Sequence, residues 1–440
     1  MAASVFDSTL YARLFPSGDV GRLFTDSAEV RAMLLVEGAL AKAQGSLGVI
    51  PQDSGDTIHR ASLEVQLDPG ALAAATGTNG VSVPGLVALF RSEMQAPEHS
   101  GYVHWGATSQ DIIDTGLMLR LRQALTLIEA DLKAVLAALG EQARAHADTP
   151  MPARTYGQHA TPTSWGAVCA TWGAPLLDAL GELDTLREAS IWVSLSGAAG
   201  TSSALGNHAD ATRAALAKAL GLHDPTRSWH TDRTPILRIT DWLMRVQSSL
   251  GAMGQSLIGL SMSGIEEIQL SGAGASSTMP QKQNPVGPSA LVALSHQATG
   301  LRASLQAAAQ HQHQRDGTAW VTEWMVLPQI VLCAASALNH AKSLCENMSP
   351  AAPQMAQNLA GLGLIHAEAL SFALAETMPR PEAQAATKAL CAQAQDSGMT
   401  LGELALQAYP DLPKSVFNVA DQMGQAPNIA RAFAAQVSKI

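Results

Sequence analysis

Aromatic residues make up only 4% of this 440-residue chain, although 47% of it is hydrophobic. That balance excludes a β-sandwich, which needs aromatic and β-branched strands, and favours closely packed helices rich in alanine and leucine. Basic residues are few and scattered, and the net charge is −10, so neither nucleic acid nor an acidic membrane is an expected partner. The four cysteines, Cys169, Cys333, Cys345 and Cys391, stand far apart without C-x-x-C spacing, which points to reduced thiols and a cytoplasmic location. The longest apolar segment, Met325–Leu338, contains Pro328 and Gln329, and no basic region followed by an apolar core opens the chain, so no membrane span or export signal is expected. No repeat with a period of about 20–50 residues is visible, which sets aside a solenoid.

One stretch also lacks carboxylates altogether: none occurs from residue 268 to 315. Inside it, residues 272–289 read GAGASSTMPQKQNPVGPS, with prolines and glycines that leave no room for the period of a helix or strand. The loop offers hydroxyls, backbone N–H groups, an amide and one cation, Lys282. Such a set suits an anion, above all a carboxylate that becomes an aci-carboxylate when its α-proton leaves. Composition alone favours an ordinary Gly/Pro/Ser loop.

Around this loop the spacing predicts long helices. From Asp111 to Asp148 there is no proline, and Leu117, Leu121, Leu125, Ile128, Leu132, Val135, Leu136 and Leu139 recur at helical intervals. Ser109 or Asp111 can cap its start. Further helical patterns cover about 164–190, 235–265, 289–314 and 323–347. Apolar residues on more than one face, such as Leu117 with Leu119 and Leu125 with Leu127, predict packing against other subunits. Three regions are expected: an N-terminal helical domain over 1–110, a long-helix bundle over 111–350 and a helical cap over 351–440. Thr76–Pro84 reads as a loop. His311 and His313, placed two apart on a helix, point to different faces without acidic or cysteine partners, so no metal is expected.

Two further stretches carry chemistry. In YVHWGATSQDIIDT (Tyr102–Thr115), Thr108 and Ser109 lie at a helix start, where hydroxyls and N–H groups can hold a carboxylate or simply cap the helix. His104 is either a substrate contact or a locally bonded loop histidine. In RTYGQHATPT (Arg154–Thr163), His159 is the one group that titrates near neutral pH. Arg233 and Arg315 can each clamp a carboxylate with a guanidinium fork, or form surface pairs with Asp232 and Asp316.

SSTMPQKQNP resembles the G-S-S-x-M-P-x-K-x-N-P signature of the fumarase/aspartase superfamily, and GATSQD resembles that superfamily's first block. The Q-H-A form of the third block, with Tyr156 where fumarases and adenylosuccinate lyases have histidine, resembles bacterial 3-carboxy-cis,cis-muconate cycloisomerases. So do WHTDR, ending at Arg233, and RDGTAWVTEWMVLP, starting at Arg315; the likeness spans roughly residues 5–350. Two features depart from the fumarate-releasing members. There is no R-H-D stretch near Thr76–Pro84, and Ser289 stands where a supporting glutamate follows the signature lysine by seven residues. The resemblance implies an all-α fold with a tetrameric long-helix core, and sites assembled from different chains. It implies a cofactor-free lactonisation of a small polycarboxylate. Ser276, Lys282 and His159 would be catalytic. His104, Thr108, Ser109, Gln158, Arg233, Ser277, Thr278, Met279, Asn284 and Arg315 would bind substrate. Serine is a weak base at its free pKa, so Ser276 would need Lys282 and loop N–H groups to stabilise its alkoxide, and His159 could carry the proton itself. A fumarate-releasing lyase such as adenylosuccinate lyase, or a catalytically silent homologue, is the alternative.

Overall fold

The computed structural model describes residues 4–271, 274–275, 279 and 282–440. It is built of helices. In the N-terminal region these are α1 (Asp26–Ser46), α2 (Gln52–Glu64) and α3 (Val83–Glu93). The stretch expected to be a loop at Thr76–Pro84 is mostly helical: residues 73–79 end on left-handed Gly80, and α3 restarts at Val83 with Pro84 in its first turn. Proline is tolerated there because its missing N–H has no intrahelical partner to lose.

The long helices follow: α4 (Ser109–Ala145), α5 (Trp165–Gly181), α6 (Ala209–Leu220), α7 (Thr234–Leu260), α8 (Val286–Ala308) and α9 (Gly317–Asn347). At 1.5 Å per residue α4 is about 55 Å long. Its expected stripe is buried, and every residue from Gln110 to Leu121 is buried as well. Leu117 and Leu119, expected to meet other subunits, are therefore covered by this chain itself. Exposed large apolar side chains on the long helices lie instead at Val286 of α8 and at Val321 and Met325 of α9. Length and composition alone would let α9 cross a membrane, yet 61% of its most apolar window is buried inside the protein. His311 and His313 fall in the connection after α8, not on a helix, and no metal-holding group of three acidic, histidine or cysteine residues occurs among the described residues.

Three two-stranded antiparallel ladders are present among the described residues. β1 (Pro150–Thr155) pairs with β2 (Gln158–Ser164), β3 (Ile268–Leu270) with β6 (Met348–Pro350), and β4 (Gly274–Ala275) with β5 (Gln283–Asn284). The last of these closes the neck of the signature loop, where no strand is expected from sequence. Two residues per strand satisfy backbone groups without leaving any periodic trace.

Compactness divides the chain into two units. Unit one comprises residues 1–131, 179–248 and 293–339; unit two comprises 132–178, 249–292 and 340–440. In unit one, α1 and α2 touch so closely that a Cβ on Gly55 would lie 2.6 Å from the Ala41 carbonyl oxygen. In unit two, α5 meets the C-terminal helix α10 (Ala426–Val437), and a Cβ on Gly173 would lie 2.1 Å from Phe433 Cζ. The four cysteines are unpaired, and burial pushes the Cys333 and Cys345 thiols up to about 12.

Candidate active site

In unit one the candidate residues gather at the start of α4. Thr108 precedes the helix, and its backbone N–H donates to Asp111 Oδ2 at 3.0 Å. An acidic residue in the first turn reaching back in this way satisfies an orphan donor. Asp111 is fully buried and does more. Its Oδ1 accepts from Ser194 Oγ (3.1 Å), Ser196 N (2.8 Å) and His230 Nε2 (2.8 Å), and its Oδ2 from Gly197 N (2.9 Å). Gly197 meets the carboxylate with φ +71°, a backbone shape that a side chain would strain. Residues 194–197 and the WHTDR stretch are thus tied to one carboxylate at the helix start.

Arg315 lies over the same turn. Its Nε donates to Gln110 Oε1 (3.0 Å) and its Nη2 to Thr108 Oγ1 (3.1 Å) and the Ala198 carbonyl (3.3 Å). Its Nη1 makes no bond among the described residues, and half-buried Ser109 follows Thr108 in sequence. A guanidinium edge, a hydroxyl and the N–H end of a long helix together suit an anion. Asp316, the alternative surface partner of Arg315, instead accepts backbone N–H groups of residues 312, 318 and 319.

His104 has a carboxylate partner that the sequence did not announce. Its Nδ1 lies 2.7 Å from Oε1 of Glu37, which is buried on α1. Burial is the largest influence and pulls the imidazole pKa down, but the hydrogen bond and charge of Glu37 outweigh it and hold the value above the ordinary one.

Arg233 departs from its expected role. It is buried, with Nη1 and Nη2 on Asp114 (2.7 and 3.0 Å) and Nε and Nη2 on Glu323 (2.9 and 2.6 Å). Burial disfavours its charge, yet the two carboxylates prevail and raise its pKa further. A fork already filled by two internal carboxylates has nothing left for a substrate. The surface alternative fails too, since Asp232 pairs with Arg227 at 2.7 Å.

Unit two holds the third block on a hairpin. β1 and β2 are joined by Tyr156 and Gly157, both with positive φ (51° and 74°), as a two-residue turn between right-twisted strands requires. The ladder sets Arg154 opposite His159. Arg154 Nη2 lies 3.3 Å from His159 Nε2, and because a guanidinium only donates, Nε2 is the acceptor in this contact. The same guanidinium binds both oxygens of buried Glu267, at 2.6 and 2.7 Å, and Asn358 Nδ2 donates to Glu267 Oε1 at 2.7 Å. His159 and Gln158 are exposed and line a cavity of about 500 Å³ that residues 358–365 complete.

The signature loop belongs to the same unit. Lys282 and Met279 are exposed, Asn284 is half-buried on β5, and the Lys282 N–H donates to the Met279 carbonyl at 2.9 Å. Ser276, Ser277 and Thr278 lie outside the described residues. Ser289, where fumarate-releasing members carry glutamate, donates its hydroxyl to the Pro285 carbonyl at 2.8 Å in the first turn of α8.

Sequence reasoning missed Glu37, Asp114, Glu267 and Glu323. Two of them left a signal: Glu37 in MLLVEGAL and Glu323 in AWVTEWMV are lone carboxylates within apolar runs, where an acid is buried only with a partner.

Residues 19–300 match the family model described as Lyase. The chain is 38% identical over 392 residues to 3-carboxy-cis,cis-muconate cycloisomerase of Pseudomonas aeruginosa, covering 88% of this chain and 85% of that protein. It is 34% identical over 426 residues to nitrosuccinate lyase of Streptomyces davaonensis, covering 94% and 90%. Among solved structures, 3-carboxy-cis,cis-muconate lactonizing enzyme from Pseudomonas putida matches with a TM-score of 0.92 at 34% identity, over 98% of this chain and 99% of that one. Motifs, helical fold and these likenesses agree, and the chain belongs to the lyase family of the fumarase/aspartase superfamily.

Proposed function

We propose that this protein is a cofactor-independent cycloisomerase that converts 3-carboxy-cis,cis-muconate to 4-carboxymuconolactone in aromatic catabolism, acting in the cytoplasm as a homotetramer. The observation that carries this reading is the environment of His159. Its Nε2 faces Arg154, and the carboxylate behind it, Glu267, has both oxygens engaged by that arginine. With Ser289 in place of the supporting glutamate, this favours lactone closure over a fumarate-releasing elimination that relies on a histidine–carboxylate pair.

In the reaction, one substrate carboxylate oxygen bonds to an alkene carbon. The π electrons move onto the conjugated carboxylate, and the resulting aci-carboxylate takes one proton at its α-carbon. Nothing leaves and nothing is oxidised. Lys282 and Asn284 hold the carboxylate on which charge grows. Thr108, Ser109 and Arg315 hold another, and His104, Gln158, Ser277, Thr278 and Met279 line the substrate. Ser276 or His159 moves the proton. These residues are drawn from different chains of the tetramer, and the exposed Val321 and Met325 of α9 support an interface between subunits.

Purified protein is incubated separately with 3-carboxymuconate, adenylosuccinate and argininosuccinate while ultraviolet absorbance is followed. Loss of the muconate absorbance alone is expected; fumarate release from either succinate overturns the assignment. Sedimentation showing a stable monomer at micromolar concentration overturns the shared site.

A further inference from the structure

A cavity of about 800 Å³ opens in unit one among α1, α2, α4 and α6. None of the residues assigned above to the reaction lines it. Its floor is made of small and aliphatic side chains, among them Ala32, Ala39, Ala43, Leu119 and Ala215, and the space exists because alanine stands where larger residues would fill it. The volume falls within the range of roughly 300–1,000 Å³ typical of small-molecule pockets.

The charge around it runs against the composition of the chain. Arg31, Lys42, Arg120, Arg122 and Lys218 line the cavity with His59, and no carboxylate does, although the protein as a whole carries −10. Two of these cations are occupied: Arg31 donates to the Ser62 and Leu63 carbonyls, and Arg122 to those of Leu220 and Gly221. The two lysines are not. Lys42 and Lys218 are exposed and have no hydrogen-bond or ion-pair partner among the described residues. Arg120 is buried, stacks over Phe24 and reaches only Glu29, at 3.3 Å, while its Nε has no acceptor. His59 Nδ1 is likewise buried without a partner. The two buried nitrogens lie behind the cavity wall, and the groups a ligand oxygen can reach are the exposed ammonium groups of Lys42 and Lys218.

We propose that this cavity binds an organic carboxylate with an apolar body, its head group held by the lysines at the rim and its tail laid along the alanine floor. The apolar floor supplies affinity, and a cationic lining without carboxylates selects for negative charge.

Titration calorimetry of the intact protein with octanoate, and with octanol as the uncharged control, tests this. Octanoate should bind once per chain, weaken as salt is raised, and bind well ahead of octanol. Lys42→Glu combined with Lys218→Glu changes two exposed side chains and should weaken octanoate about tenfold or more, at unchanged turnover. Ala39→Phe, which fills the floor, should abolish binding; the lysine pair keeps the test valid if that variant does not fold. Absence of saturable binding, equal binding of octanol, or unchanged affinity in the double lysine variant overturns the proposal. So does a cavity that opens to octanoate only when the assembled protein is dissociated, since a second copy would then be its occupant.

Discussion

Two histidines show how differently the chain treats its chemical stretches. His230 is buried, bonded to Asp111 in a network that also engages Thr108, Ser194, Ser196 and Gly197. His159 is exposed on a two-stranded hairpin, and among the described residues its side chain bonds to Arg154 alone. Arg233 and Lys282 repeat the contrast, the first enclosed by two carboxylates and the second exposed on a loop. Asp111, His230 and Arg233 are committed to holding the shape around the start of α4, whereas His159 and Lys282 are left available to a ligand.

The sharpest way to break this comparison is Arg233→Met. Removing one partner from a buried charge cluster leaves uncompensated carboxylates and should cost about 3–5 kcal/mol of stability, read from denaturant unfolding. Turnover of the protein that remains folded should change little. A variant with full stability but no turnover would return Arg233 to substrate binding. Lys282→Met should do the opposite. Losing one electrostatic donor to the transition state lowers the rate about 10²–10³-fold, or ~3–4 kcal/mol, with an unchanged unfolding curve. A folded variant that keeps more than about half its activity makes Lys282 an ordinary loop residue.

Next in size is Arg154→Gln, which releases His159 from its donor. Misplacing a reacting group by about 1 Å costs on the order of 10²-fold. The expected loss lies in kcat with a shifted pH profile, and Arg154→Lys should restore only part of it. An unaltered pH profile would make Arg154 structural only. The smallest effect concerns Glu37 and His104. Because the folded pKa of His104 is raised, its stabilising contribution is full below the ordinary histidine value, about 6.5, and is lost as pH rises through the raised value. The stability gap between the native protein and Glu37→Gln should therefore narrow as pH rises through that window; a gap that widens contradicts the pairing.

The long helices were legible because a stripe such as Leu121, Leu125, Ile128 and Leu132 needs only local periodicity. The hairpin was not. Pro150, Pro152 and Pro162 disguise its strands, a bulge breaks its register between Pro152 and Arg154, and its turn places Tyr156 at positive φ, where asparagine or glycine is the usual signal. The fate of Arg233 was hidden for another reason. Asp114 and Glu323 lie 119 and 90 residues away, and only folding brings them together. Conversely, SSTMPQKQNP announced itself through residue types alone, since anion-holding loops are defined by what they offer more than by how they are folded.

The bonds of Asp111 also set a clock. Its partners Ser194 and His230 are 83 and 119 residues further along the chain. At a synthesis rate of about 5–20 residues per second, His230 is added roughly 6–24 s after Asp111. Throughout that interval the first turn of α4 lacks these two anchors. A nascent chain in this state holds the start of α4 unanchored for seconds, so a segment that is fixed in the finished protein begins as one a chaperone can engage.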